Sequence, residues 1–292
     1  MLLPALDNEK HYFVGEEEIE KLLAKGERWL STHPDKELIT RRYLNYRQRM
    51  VREALAQLHP PIDETASLPS DEADLVQSAE EEAKEAPLLL NDARLTAALE
   101  AVLATEPPAN SVIDLGCGEG KLLQRLLKER TLSQITGVDV SARVLEHAAR
   151  RLHLDTLPDR QKARISLLNG SLVYRDARFF GYDVATLIEV IEHLDPQRLA
   201  SLERVVFEAA HPRRVIVTTP NQEYNVIWET LPAEKMRHRD HRFEWTRAQF
   251  AEWANQVAKT NGYTVEIKPI GTVHELYGGA TQMAVFDLKE KE

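Results

Sequence analysis

One apolar run ends in an unusual concentration of reactive side chains. In DVATLIEVIEHLDP, residues 183–196, Glu189, Glu192 and His193 stand at positions i, i+3 and i+4. On a helical turn that spacing puts all three on one face, so they can converge. Two carboxylates and an imidazole could bind a divalent cation. A second concentration, MRHRDHRFEWTRAQF over Met236–Phe250, offers His238 and His241 ahead of a helix that Glu244 or Thr246 begins. A fourth ligand from this segment would complete a site of two carboxylates and two imidazoles with open positions for substrate. Mixed oxygen and nitrogen ligation suits Mn²⁺ better than Mg²⁺, which prefers oxygen and water.

The segment VIDLGCGEGK, Val112–Lys121, carries a different chemistry. Gly116, Gly118 and Gly120 let backbone amides approach a ligand ahead of a helix N-terminus. A dinucleotide site would read G-x-G-x-x-G, whereas here Asp114 leads a D-x-G-x-G-x-G pattern. That acid would repel a pyrophosphate and attract an ammonium group. The loop resembles motif I of class I methyltransferases, which implies that it holds the amino-acid end of S-adenosylmethionine. Asp139, closing Gly137-Val138-Asp139, can accept hydrogen bonds from both hydroxyls of a ribose; its plainer reading is a helix-capping residue in a tight turn. Gly170, Ser171 and Leu172 are placed to border the adenine. Cys117, the single cysteine, reads as a small filler and excludes an internal disulfide.

These residues need a scaffold. From residue 87 onward, strands and helices alternate: helix Asp92–Ala104, strand Ser111–Leu115, helix Lys121–Lys128, strand Gln134–Asp139, helix Ala142–Leu152, and strands Ala163–Leu168 and Asp183–Ile188. Helix Pro196–Ala210, strand Arg214–Thr219, helix Arg247–Thr260 and two terminal strands, Tyr263–Pro269 and Thr281–Leu288, complete the series. The pattern predicts an α/β fold of the Rossmann-like type, with a mostly parallel seven-stranded sheet, helices on both faces and an antiparallel strand at one edge. Residues 1–60 read as helical, over Glu16–Leu30 and Leu38–Leu58, until Pro60–Pro61. Residues 61–86 read as an acidic linker, with nine acids against Lys84 between Asp63 and Glu85. That stretch carries most of the net charge of −10, leaving residues 87–292 free to hold local basic surfaces. No apolar run could cross a bilayer and no secretion signal opens the chain, which points to a cytoplasmic protein.

Taken together, GSLVYRD (Gly170–Asp176), EVIEHLDP (Glu189–Pro196), TTPNQEYN (Thr218–Asn225) and RDHRFEWTR (Arg239–Arg247) resemble the metal-dependent RNA 3′-terminal ribose 2′-O-methyltransferases, which act on small RNAs, piRNAs and bacterial RNA ends under repair. The resemblance covers residues 88–290. It implies S-adenosylmethionine and one divalent metal as cofactors, an RNA 3′ end with a free 2′,3′-diol as substrate, and Glu189, Glu192, His193 and His241 as metal ligands. A cation with two open positions could take that cis-diol and lower the pKa of the 2′-hydroxyl. A ligand histidine, or His238 beside them, would take the proton. The N-terminal stretch from HYFVGEEEIEKLLAKGERWL through ITRRYL is similar to the segment before the methyltransferase in the bacterial branch. There a longer N-terminal half contacts a polynucleotide kinase–phosphatase–ligase, so the chain is expected to be a fragment or a short version.

RNA contacts should come from phosphate neutralisation. Arg237, Arg239, Arg242 and Arg247 flank the histidines and are the first candidates. Arg41, Arg42, Arg47, Arg49 and Arg52, interleaved with Tyr43 and Tyr46, are the second, against the plainer reading of a solvated helix face. Thr219–Asn225 could shape a pocket for the terminal nucleotide or be a structural loop. Two other functions compete: a small-molecule O- or C-methyltransferase that needs no metal, and an RNA-repair adaptor acting through the N-terminal helices.

Overall fold

Along β5 (Arg214–Pro220), Val215 and Val217 join one apolar cluster while Ile216 joins another. Along β1 (Ser111–Leu115), Ile113 and Leu115 side with the first cluster and Val112 with the second. Successive side chains point to opposite faces of a strand, so two buried sets mean a sheet covered on both faces. The structure is a computed structural model; it describes Leu30 and residues 89–228, 236–238 and 240–289. The chain divides into two units, Met1–Gln77 and Ser78–Glu292, and every described residue except Leu30 belongs to the second. The N-terminal helices, the arginine run from Arg41 to Arg52, the acidic linker and Arg239 lie outside the described residues, Leu30 apart.

The second unit runs α1 (Leu89–Leu103), β1, α2 (Lys121–Leu126), β2 (Gln134–Asp139), α3 (Ala142–Arg151), α4 (Asp159–Lys162), β3 (Ile165–Asn169), β4 (Val184–Ile188), α5 (Leu199–Glu203), β5, α6 (Arg247–Asn261), β6 (Tyr263–Ile270) and β7 (Thr281–Leu288). The sheet order is β3-β2-β1-β4-β5-β7-β6. Strands β1 to β5 are parallel, and β7 pairs antiparallel with both β5 and β6. This is the expected seven-stranded sheet, with its antiparallel pairing confined to one side. Consecutive strands step one way from β1 to β3 and the other way from β4, so the switch point lies between β1 and β4, where open α/β sheets bind ligands.

Two segments depart from expectation. The helix expected at Pro196–Ala210 is a 3₁₀ turn (Pro196–Arg198), then α5, then a π-helical stretch over Arg204–Ala210. Val205, Val206 and Phe207 are consecutive and all buried. An α-helix turns only one face inward, and the wider π turn accompanies this broader apolar contact. The turn after β4 is likewise a short 3₁₀ segment, Ile191–His193, so Glu189 precedes it rather than sharing a helix with His193.

Candidate functional site: a glycine loop against a histidine cluster

The glycine loop folds over the end of β2. The amides of Gly116 and Cys117 both donate to the Val138 carbonyl, at 2.8 and 2.9 Å. Gly116 has φ 84°, and a Cβ there would lie 2.6 Å from Cγ2 of Val190. The loop therefore packs directly on the residue between Glu189 and Ile191. Gly118 has φ 51° and nothing within 4 Å of a Cβ position, so it is left-handed and faces open space. Cys117 is buried, and burial pushes its thiol pKa far up, in keeping with a filler.

Asp114 is 2% exposed and accepts a hydrogen bond from Thr186 Oγ1 at 2.7 Å. Burial pushes its pKa up to about 7, against the Thr186 hydrogen bond and with help from the Asp139 charge. Asp139 accepts from the Gly118 amide at 3.1 Å and the Ser141 amide at 2.8 Å, one on each oxygen. A carboxylate oxygen has a second lone pair, so ribose hydroxyls can still be accepted. Burial raises the Asp139 pKa and the backbone amides oppose it. The Gly170 amide and the Asn169 side chain both donate to the Asp139 carbonyl, at 3.1 and 3.2 Å, which brings half-buried Ser171 and Leu172 to this corner.

Glu189 has a left-handed backbone, φ 55°, a conformation that costs a non-glycine residue about 1–2 kcal/mol. Thr218 of β5 holds it: Thr218 Oγ1 donates to Glu189 Oε1 at 2.9 Å and accepts from the Glu189 amide at 3.1 Å. Arg94 of α1, 5% exposed, lies 3.4 Å from Glu189 Oε2. Glu192 is fully buried, and its Oε2 accepts from Thr219 Oγ1 at 3.0 Å.

Among the described residues, the group whose possible ligand atoms all lie within 4.8 Å of one another is His193, His238 and His241. Ring centroids are 4.9 Å apart for His193 and His241, and 5.6 Å for His238 and His241. The structure thus brings the three imidazoles together and puts the Glu189 and Glu192 carboxylates on threonines of the neighbouring strand. The Arg242 amide donates to the Glu192 carbonyl at 2.7 Å and ties the two segments. Part of the His193 ring reaches solvent, but desolvation on its packed sides, with His241 and His238 beside it, pushes its pKa down to about 4. It is neutral at pH 7, with a lone pair to give.

The two other histidines differ in where their protons sit. His241 Nδ1 lies 2.6 Å from Glu244 Oε1, so the neutral ring keeps its proton on Nδ1 and its lone pair on Nε2. His238 Nδ1 accepts from the Asp240 amide at 3.2 Å, which puts the proton of a neutral ring on Nε2. Burial works to raise the Glu244 pKa, but hydrogen bonds from His241, Asn225 and the Arg237 amide, with the Arg237 charge, hold it below the usual range. Three imidazoles at this spacing form a donor set that fits a borderline divalent cation.

Of the arginines expected to meet RNA, Arg237 takes another part. It is 2% exposed, donates to Asn225, Asn221 and Ala280, each at 2.7 Å, and stacks 4.1 Å from the Trp228 ring. Arg247 is paired with Glu223, while Arg242 is exposed, 3.7 Å from Asp195. Sequence reasoning missed Arg94, whose signal was one arginine in the apolar stretch LLNDARLTAALEAVL. It also took Glu244 for a possible helix start; the N-cap is Thr246, in a capping box with Gln249.

Residues 1–59 match the family model described as "RNA repair, ligase-Pnkp-associating, region of Hen1", and residues 113–213 match "Methyltransferase domain". The crystal structure of the methyltransferase domain of bacterial CtHen1-CN is 53% identical, with a TM-score of 0.62, over 68% of this chain and 100% of that one. The chain belongs to the Hen1 family. The crystal structure of the small RNA methyltransferase HEN1 is 29% identical, with a TM-score of 0.63, over 87% of this chain and 32% of that one. Two curated relatives are named small RNA 2′-O-methyltransferase. That of Arabidopsis thaliana is 36% identical over 62% of this chain and 21% of its own length; that of Rattus norvegicus is 40% identical over 60% and 45%. The chain thus spans less than half the length of these two curated relatives. The family expected from the motifs is the one found.

Proposed function

We propose that this protein transfers a methyl group from S-adenosylmethionine to the 2′-hydroxyl of the 3′-terminal ribose of RNA, with the help of one divalent metal. The observation that carries the reading is the contact between two sites. Gly116 of the cofactor loop packs on Val190, between Glu189 and the turn that presents His193 to His238 and His241. A methyl donor and a cation held at the two sides of that contact would be neighbours.

Each side chain has a separate task. Asp114 attracts the ammonium end of the cofactor, Asp139 accepts its ribose hydroxyls, and Ser171 and Leu172 border its adenine. His193 and His241 would hold the metal through neutral nitrogens, and Glu189 and Glu192 would supply its carboxylates. When bound, a divalent ion supplies Lewis acidity that makes a hydroxyl a better nucleophile near neutral pH, with Mn²⁺ favoured over Mg²⁺ by the nitrogen donors. His238 is the candidate proton acceptor; to take a proton at Nδ1 it gives up the hydrogen bond from Asp240. Only the 3′ terminus of RNA has adjacent free 2′ and 3′ hydroxyls, so a site built for that pair selects ends without reading sequence.

Family membership favours this reading over a small-molecule methyltransferase. The match of residues 1–59 to the ligase-associating region supports a place in RNA repair beside a polynucleotide kinase–phosphatase–ligase. Among the described residues no helix is long and apolar enough to cross a membrane. The test is periodate treatment of an RNA oligonucleotide after incubation with the protein, S-adenosylmethionine and Mn²⁺. A 2′-O-methylated end no longer has a vicinal diol and resists oxidation; full sensitivity after incubation would refute the proposal.

A further inference from the structure

Behind His241 lies a buried polar assembly that no cofactor contact explains. Glu244, 6% exposed, accepts from His241 Nδ1 at 2.6 Å and from the Arg237 amide at 2.7 Å on Oε1, and from Asn225 Nδ2 at 2.6 Å on Oε2. Arg237 then returns to Asn225 through Nε, at 2.7 Å, and anchors the base of the β6–β7 connection through the Ala280 carbonyl. Asn221 fastens the same end of that connection, donating to the Tyr277 and Gly279 carbonyls at 2.8 Å each. Burying a carboxylate is costly unless donors surround it, and here three donors converge on one.

We infer that Glu244 is a positioning residue, which fixes the tautomer and ring plane of His241 so that Nε2 points its lone pair into the histidine cluster, and that Asn225 and Arg237 hold Glu244 for this purpose. The reason lies in the donors. A backbone amide and a carboxamide N–H can only donate, so the Glu244 oxygens must accept from them, and an accepting carboxylate requires its proton partner on His241 Nδ1. A histidine so oriented presents one nitrogen in one direction, and the second hydrogen bond raises its basicity as a ligand. His238 shows the contrast: its Nδ1 accepts, so its ring does not carry the same bias. Asn221, Asn225, Arg237 and Glu244 come from the two segments on either side of residues 229–235, so the assembly also fastens these segments to each other.

The inference rests on the metal reading above, and its test separates the two. In the full chain, Mn²⁺ affinity and S-adenosylmethionine affinity are measured by calorimetry for wild type, Glu244→Ala and Glu244→Gln. The ¹⁵N shifts of the His241 ring are recorded without metal. The expected result is Mn²⁺ binding weakened roughly 10- to 100-fold in Glu244→Ala. Glu244→Gln, which keeps an acceptor, should lose less, and cofactor affinity should be unchanged. The ring shifts should report Nδ1–H in wild type and a mixed tautomer in Glu244→Ala. Unchanged ring shifts in a folded Glu244→Ala protein would overturn the inference whatever the metal does, as would equal losses of metal and cofactor affinity. If wild type bound no Mn²⁺ while the tautomer still depended on Glu244, the metal reading would fall and the positioning role would stand.

Discussion

Thr218 and Glu189 are bound to each other twice, Oγ1 donating to the carboxylate at 2.9 Å and accepting from the amide at 3.1 Å. That pair of hydrogen bonds between one strand and the end of its neighbour holds Glu189 in a left-handed conformation beside the glycine loop. Strain kept at such a position points to a functional demand on the side chain.

The strain makes a comparison of two variants informative. Glu189→Ala and Glu189→Gly lose the same contacts to Thr218 and Arg94, but glycine adopts φ 55° at little cost. The glycine variant should be the more stable of the two by about 1 kcal/mol in denaturant melts. Both should lack methyl transfer while still binding S-adenosylmethionine.

Asp114 predicts a proton signature. Its folded pKa, raised to about 7 from 3.8, means the carboxyl stays protonated in the folded chain over a range where the unfolded chain is ionised. Its contribution to stability is therefore fully present below about pH 4 and is lost as pH rises toward 7. An ammonium group arriving beside it lowers that pKa, so cofactor binding between pH 6 and 7 should release a proton. Calorimetry in buffers of different ionisation enthalpy should detect the release, and Asp114→Asn should abolish it. Buffer-independent binding heats in wild type would contradict the assignment.

Two glycines of one loop should behave differently. In Gly116→Ala the new methyl meets Val190 at 2.6 Å in a left-handed backbone, so folding should suffer by about 1–3 kcal/mol. Gly118→Ala meets nothing within 4 Å, so it should cost about 1 kcal/mol from backbone strain alone. Its larger effect should be on S-adenosylmethionine affinity, because its methyl projects into the open side of the loop. Melting temperatures and cofactor titrations on both variants check this.

The arginines of the 236–247 segment separate in the same way. Arg237→Ala removes a buried charge from three acceptors and a Trp228 face, and should destabilise the protein by about 3 kcal/mol or more. Arg242→Ala, on the surface, should leave melting within about 0.5 kcal/mol. It should weaken RNA binding and reduce the slope of log affinity against log salt by about one.

The central strands were legible because both faces are buried: runs such as SVIDL and VATLI are mostly apolar, and glycines or acids close them. The glycine loop was legible because its glycines need left-handed φ, which leaves a fixed spacing in the chain. The π-helical stretch at Arg204–Ala210 was not, since a shifted hydrogen-bond register has no pattern of its own in residue types. At the histidine site the residue types were readable and their partners were not. Thr218, Thr219 and Arg94 hold the carboxylates from other elements, and Glu244 faces inward from a loop, contacts that only folding specifies. Arg237 read as an RNA contact because charge suggests the surface; its burial depends on Asn221 and Asn225, more than ten residues away.

The central claim is a metal-dependent reaction on a vicinal diol, and one comparison reaches it most directly. RNA oligonucleotides ending in a 2′,3′-diol or in a 3′-phosphate both keep a terminal 2′-hydroxyl, but only the first offers the pair. With labelled S-adenosylmethionine, methyl transfer should occur to the diol end in the presence of Mn²⁺, should fall to background for the phosphate end, and should vanish for both after chelation. Equal labelling of the two ends, or labelling that survives thorough chelation, would contradict the account.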